Sequence, residues 1–406
     1  MTSEFQVLRY RWVILALSWF AFTTSMIPRM AYSPLMLDMS RELSMSYTEA
    51  GLLMSGFWAG YMTMQLPGGL ISDRIGVKRT LVISLPLMGI STMAIGFASS
   101  FIYGLLLRFL GGLAAGCVFA PCSALVARWF SSSERAIASG IYSTSGSAGM
   151  LIGILTSTII ASSTGSWRWS FWILGTPAFV AGVTTLLLSR DWPIEAARKA
   201  STAVDSSETP PISLIFRSRP MWLMCLVWFG LCLTFTSTMT WAPMYLERVV
   251  KVSNVTAGVT TSIIPAVAIA SGALGGIIAD KVLKRKMPVL FLNAFFLGVG
   301  ILLISAFQEV DIGRATLLFI FVGFFGGLGW GPGMSVLAEW FHRQILGTAF
   351  GFLNFVGQIG SVIGPFIFGL ILDATGSFAS GWMFLGTAGI VTALPALLLM
   401  LMERKN

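Results

Sequence analysis

Charge is scarce in this chain. Asp, Glu, Lys and Arg make up 11% of its 406 residues, while 55% are hydrophobic. Soluble domains carry about 25% charged residues, so this composition, with a mean hydropathy of +0.82, excludes an ordinary soluble domain. Histidine occurs once, as His342 at a helix end, and the four cysteines Cys117, Cys122, Cys225 and Cys232 form no CxxC pair. A zinc site or a disulfide framework is therefore not expected, and the thiols read as packing residues. No nucleotide-binding motif is present, so neither ATP drive nor a bound cofactor is expected. The first apolar run is too long for the h-region of a secretory signal and lacks a small-residue cleavage site. All 17 acidic residues fall in loops, termini or helix ends, and none lies in the middle of an apolar run.

Apolar runs of about 20 residues are candidate spanning helices. Twelve can be marked, from 12–37 to 380–402, although the turn near Ala98–Phe101 carries no charge to separate its two runs. The net charge of +9 would suggest nucleic acid, but its distribution does not. With twelve spans, 19 Lys and Arg fall on the side of the termini, 5 on the other, and Arg29 and Arg108 lie within spans. By the positive-inside rule both termini are cytoplasmic, in a multi-pass protein of the cell membrane.

The two halves of the chain repeat one another. GGLISD (Gly68–Asp73) matches GGIIAD (Gly275–Asp280) at an offset of 207. PCSALVARWF from Pro121 matches PGMSVLAEWF from Pro332 at an offset of 211, as do Gly140, Gly146, Gly149 and Gly153 with Gly351, Gly357, Gly360 and Gly364. TGS from Thr164 matches TGS from Thr375 at the same offset. Glycines in register along a whole helix are not expected of low-complexity apolar sequence. The reading is an all-α membrane protein of twelve transmembrane helices in two six-helix halves: residues 1–189, a polar cytoplasmic linker 190–220, and residues 221–406. Such parallel repeats occur in secondary transporters.

The turn GGLISDRIGVKRT (Gly68–Thr80) resembles the loop signature of the major facilitator superfamily, G-x-L-A-D-R-x-G-R-K. Gly69, Asp73, Arg74, Gly76 and Lys78 supply it, with Val77 departing; Asp280 belongs to a weaker second copy in which Leu283 replaces a glycine. The resemblance implies the major facilitator fold and a cytoplasmic latch between the halves, carried by Asp73 with Arg74 and Lys78. RFLGGLAAG (Arg108–Gly116) resembles the superfamily's fourth-helix motif. Arg108 then either bonds helix carbonyls or serves substrate or coupling. WAGYMTMQLPGG, SSERAIASG and SWRWSFWILG resemble the anion:cation symporter branch, which includes sialin-like and sugar-acid carriers.

Arg29, in SMIPRMAYS, sits inside the first run with no acid beside it. An arginine at mid-membrane costs about 2.5–3.5 kcal/mol on insertion scales, and intramembrane charges usually face a bundle interior or a water-filled cavity. Ser18, Ser25, Arg29, Tyr32 and Ser33 share one helix face. Pro28 and Pro34 lack N–H donors and free carbonyls one turn back, at Thr24 and Met30, which could support the guanidinium. The remaining partner is an anion that comes and goes, since the guanidinium fork suits carboxylate or phosphate. In the symporter branch an arginine of the first helix has this part, and Arg29 matches it. Proton-coupled members often have an acid just before that arginine and another in the fourth helix; Pro28 and an acid-free helix stand here instead. Coupling to a proton, coupling to another ion, exchange and facilitated movement all stay open.

Other candidates for the site share helix faces: Trp58, Tyr61 and Gln65 in the second run; Thr234, Ser237, Thr238 and Trp241 in the seventh; Asn354, Gln358 and Ser361 in the eleventh. Each could instead be a packing or interhelical hydrogen-bonding residue. The expectation is a non-enzymatic carrier of a small organic anion, with a carboxylate as cargo, binding through Arg29, Tyr32, Tyr61, Gln65, Trp241, Asn354 and Gln358. Its alternative is a carrier of neutral or hydrophobic compounds, drug- or sugar-like, in which Arg29 is structural. Intramembrane catalysis usually needs a mid-span His, Asp or metal cluster, and this chain has none.

Overall fold

The computed structural model describes residues 2–130, 134–189, 211–306 and 311–403, and these are helical throughout apart from short turns. In the first half run α1 (Thr2–Glu42), α2 (Tyr47–Ile75), α3 (Val77–Ile95), α4 (Phe101–Gly116), α5 (Phe119–Trp129), α6 (Arg135–Thr164) and α7 (Trp167–Leu188). After the short α8 (Ser213–Arg217) come α9 (Arg219–Tyr245), α10 (Asn254–Ile277), α11 (Met287–Ala306), α12 (Ile312–Leu328), α13 (Trp330–Trp340), α14 (Arg343–Thr375) and α15 (Phe378–Glu403). Much of the expected linker, including a short helix anticipated near Pro193–Ala200, lies outside the described residues.

Ten helices among the described residues are long and apolar enough to cross a membrane, so the protein is a multi-pass membrane protein. The expected count of twelve depends on α2 and α3, which are not among the ten. At 29 and 19 residues both can span about 30 Å, but Gly, Ser, Thr and Gln in one and Lys78 and Arg79 in the other lower their hydropathy.

The repeat reappears as backbone geometry. Gly165 and Gly376, 211 residues apart, both close a helix in the left-handed region, at φ 68° and 66°, where glycine alone pays no Cβ penalty. Two spans also break at matching places, α4 from α5 at Cys117–Val118 and α12 from α13 at Gly329. Where the latch motif departs from its signature the backbone departs too. Gly76 turns α2 into α3 at φ 94°, whereas in the second copy positive φ falls on Lys284, after a π-turn at Ile278–Val282.

The halves meet unevenly. At the end remote from the termini, helices α2 and α14 touch backbone to backbone. A Cβ on Gly51 would stand 2.3 Å from the Pro365 carbonyl oxygen, and one on Gly369 2.3 Å from that of Tyr47. A Cβ on Gly258 of α10 would stand 2.2 Å from Thr158 Oγ1 of α6. At the end nearer the termini the same four helices carry Gly69, Gly140, Gly276 and Gly347, and among the described residues no atom beyond their own stretch of helix lies within 4 Å of where their Cβ would be. The assembly is closed at the far end and splayed at the near end.

Candidate functional site

Arg29 is buried at the centre of α1, 4% exposed. Its guanidinium carbon lies 4.4 Å from the Trp58 ring centre and 4.2 Å from that of Tyr61. The two rings stand nearly perpendicular, at 87°, and form a corner for the cation. Trp58 and Tyr61 share the inward face of α2, as their spacing predicts. Each cation–π contact is worth about 0.5–2 kcal/mol, more when desolvated, so the pair offsets much of the insertion cost. It does not satisfy the donors: Nε and Nη2 of Arg29 are buried without a hydrogen-bond partner. Among the described residues no ion pair involves Arg29. A charge has been stabilised here while two of its donor atoms, Nε and Nη2, are left open.

Arg108 is used differently. It is 1% exposed and points into the first half. Its Nη1 donates to the Pro28 carbonyl at 2.9 Å, its Nε to that of Leu53 at 3.1 Å, and its Nη2 to that of Arg29 at 3.5 Å. Tyr32 and Phe57 lie 5.0 and 4.7 Å from its guanidinium. Arg108 therefore ties α1 and α2 together just behind Arg29. Carbonyls beside the prolines do support a guanidinium, but it belongs to Arg108, and they are those of Pro28 and Arg29 rather than Thr24 and Met30.

A narrow cavity of about 40 Å³ lies between the halves. Trp58 and Met30 face it from the first half; Phe235, Trp330 and Gln358 are among its walls in the second. Arg29 lies behind Trp58, next to Met30 in sequence. The Gln358 Oε1 is buried without a partner. A larger depression of about 530 Å³ at the far end, lined by Asp38, Arg41, Trp167 and Asn254 among others, lies about 13 Å or more along α1 from Arg29. It belongs to the mouth of the closed end.

Two expected binding residues lie elsewhere. Tyr32 is fully buried, and its hydroxyl donates to the Ala50 carbonyl at 2.7 Å. Trp241 stacks on Phe368 at 4.9 Å and donates to the Pro365 carbonyl at 3.1 Å. Both are structural pieces near the closed end. Thr234, Ser237 and Thr238 return their hydroxyls to carbonyls one turn back in α9. Gln65 and Asn354 are half-buried and outside the cavity wall. Of the seven residues expected to bind cargo, Arg29, Tyr61 and Gln358 gather at the centre. Trp330 was missed, although it follows the second-half helix break as Phe119 follows the first; that shared position was the available signal.

The far end is held by hydrogen bonds between the halves. Ser33 Oγ donates to the carbonyls of Met239 and Thr240, the latter at 2.9 Å. Asn254 Nδ2 donates to the Pro34 carbonyl at 2.7 Å. Asp373, at the end of α14, receives the Tyr47 N–H at 3.0 Å, the Thr48 N–H at 2.7 Å and the Thr48 hydroxyl at 2.5 Å. At the near end Asp73, Arg74 and Asp280 are exposed, and no ion pair joins them or Lys78 to any described residue.

Known proteins share this plan. The chain is 25% identical to the hexuronate transporter of Bacillus subtilis, over 87% of this chain and 86% of that protein. It is 28% identical to the cis,cis-muconate transport protein of Acinetobacter baylyi, over 87% and 86%. A crystal structure of a bacterial homologue of the human lysosomal transporter Spinster, inward-facing and unoccupied, superposes with a TM-score of 0.78 at 18% identity, covering 96% of this chain and 95% of that one. Residues 18–321 match the Major Facilitator Superfamily family profile. With its internal repeat, its helical bundle closed at one end and that match over most of its length, the chain belongs to the major facilitator superfamily.

Proposed function

We propose that the protein carries a small organic anion, a carboxylate, across the cell membrane by alternating access, with Arg29 receiving the charge. The observation that carries this reading is the Arg29 guanidinium: buried, held against Trp58 and Tyr61, with Nε and Nη2 unpartnered and no ion pair among the described residues. A fixed protein acid would have made it structural. An anion that enters and leaves supplies the missing acceptors in one state and not in the other. The named activities of the hexuronate and cis,cis-muconate relatives support the same cargo class.

The excess of Lys and Arg on the side of the termini supports cytoplasmic termini, which makes the splayed end cytoplasmic and the state inward-open. Rocking the halves would close that end and bring Asp73 and Arg74 at the near end of α2, with Lys78 at the start of α3, to the start of α14, and Asp280 after α10 to the start of α6. There an acid would meet the positive end of the helix. The cavity wall offers no carboxylate or histidine to carry a proton. Exchange, facilitated movement or coupling to another ion fits that wall better than proton symport.

The test is uptake of radiolabelled organic acids into proteoliposomes by the parent protein and by Arg29→Ala. Loss of carboxylate uptake by a folded variant supports the reading. Uptake of neutral compounds that survives the substitution, with no carboxylate transported by either protein, overturns it.

A further inference from the structure

Which kind of acid the cavity accepts can be read from its walls. This inference rests on the anion reading above and narrows it. Two indoles, Trp58 and Trp330, the ring of Phe235 and the thioethers of Met30, Met150 and Met239 make up most of the lining. Cys232 adds a thiol. Three polar side chains remain. Thr236 and Ser361 bond each other at 2.9 Å, which uses the donor of one and an acceptor of the other. Gln358 keeps a buried amide oxygen unpartnered, and the Trp58 Nε1 donor is the other open polar group of the wall. At about 40 Å³ the cavity must widen to admit an organic acid, and the same side chains would line it when the halves part.

Charge is equally limited. Arg108 is committed to three backbone carbonyls, and among the described residues no cationic side chain stands in the wall itself, so Arg29, just behind Trp58, is the single positive group the cargo could reach once Trp58 gives way. A second carboxylate on the cargo would enter without a partner, and a buried unpaired charge is strongly disfavoured. A hexuronate carries a hydroxyl on nearly every carbon. Each would exchange water for thioether or indole and lose hydrogen bonds that this wall cannot replace. A flat apolar body loses nothing on entering, and indole faces and thioethers suit it.

We infer that the cargo is a monocarboxylate on a flat apolar body, an aromatic or conjugated alkenoic acid, rather than a polyhydroxylated sugar acid or a dicarboxylate. The carboxylate meets Nε and Nη2 of Arg29. The body lies among Trp58, Phe235 and Trp330, and Gln358 and the Trp58 Nε1 donor can serve a polar substituent or two, far fewer than a sugar acid carries.

The experiment is binding to the purified full chain in lipid nanodiscs, read by calorimetry. The probes are benzoate, D-glucuronate, cis,cis-muconate and benzyl alcohol, the last a neutral probe with the same ring. Benzoate is expected to bind at least about tenfold more tightly than the other two acids, since single mismatched groups in a pocket commonly discriminate by about that factor or more. Arg29→Gln should weaken benzoate about a hundredfold. Trp330→Leu should weaken it about tenfold while leaving the melting temperature near that of the parent, so a folding defect is told apart from a lost contact. D-glucuronate or muconate binding as tightly as benzoate, and lost in Arg29→Gln, overturns this inference and leaves the anion reading standing. Benzyl alcohol binding as tightly as benzoate, with Arg29→Gln without effect, overturns both. Folded protein that binds none of the acids also overturns both.

Discussion

The cap that Asp373 places on α2 fixes a number for the balance between the two open states. The first turn of any helix presents N–H groups with no partner inside the helix. In α2 these are divided between two sources. Ser46 Oγ takes the Glu49 N–H at 3.1 Å, and Glu49 returns a carboxylate oxygen to the Ser46 N–H at 2.9 Å, a capping box within the first half. The Tyr47 and Thr48 N–H groups go to Asp373 of the other half. When the far end opens, the capping box travels with α2, and the Asp373 bonds are exchanged for water. Asp373→Ala therefore removes an interaction present in one state only. Losing an N-cap acceptor costs about 0.5–2 kcal/mol, and a carboxylate at a helix N-terminus adds about 0.3–1. Because the site is exposed the combined effect is near 1–2 kcal/mol, about a 5- to 30-fold shift toward far-open protein. Spin labels at the exposed positions Ser163 and Ala374 across the far end, and at Arg79 and Lys284 across the near end, report both openings by pulsed electron resonance. Far-end distances should lengthen and near-end distances shorten in Asp373→Ala, with about half the effect in Asp373→Asn, which keeps one acceptor oxygen. Ser46→Ala is the control: it should lower stability in both states alike and leave the distances unchanged. Unaltered distances in a folded Asp373→Ala variant, or an equal shift in Ser46→Ala, would refute the reasoning.

Three further outcomes are expected. Gly51→Val places a side chain where even a Cβ would lie 2.3 Å from the Pro365 carbonyl oxygen, so the far end should be unable to close and the same spin labels should report only the far-open form. Arg108→Leu removes three bonds to carbonyls from a buried charge, each worth about 1.5–3 kcal/mol in the charged form; the melting temperature should fall by several degrees or more, and solute binding should weaken only as far as α1 and α2 move apart. With no carboxylate or histidine in the cavity wall, collapsing a proton gradient with a protonophore should leave counterflow exchange in proteoliposomes unchanged, and a loss of exchange would point to a titrating group elsewhere.

Much of the architecture was legible because it depends on local chemistry that repeats. Gly165 and Gly376 each end a helix in a conformation that needs glycine, so their shared offset could be read before any packing was known. The isolation of Arg29 was legible for a similar reason: mid-span charge is so expensive in a membrane that its appearance without an acid already demands a partner. The allocation of partners was not legible. Helical spacing puts Tyr32 and Arg29 on one face of α1, yet it cannot say that Arg108 arrives from α4 and takes Tyr32 for its own surroundings. Trp241 read as lining because aromatic residues often line clefts, but its indole is used to stack on Phe368 and bond the Pro365 carbonyl.

The difference between Arg29 and Arg108 shows where sequence stops being informative in such a bundle. Both are lone arginines in apolar helices, at similar depth and with no acid nearby. One finds three carbonyls and becomes part of the scaffold; the other finds three aromatic rings, Trp58 and Tyr61 nearest and Phe57 beyond, whose faces stabilise charge but accept no N–H bond in the way a carbonyl oxygen does. A carbonyl partner completes a guanidinium and an aromatic partner leaves its directional bonding unfinished. Which of the two an arginine meets is decided by the packing of α1, α2 and α4 together. On the proposed reading the same packing would serve an incoming solute: Arg108 ties the backbones of α1 and α2 together, which would keep the corner formed by Trp58 and Tyr61 in shape with or without an anion.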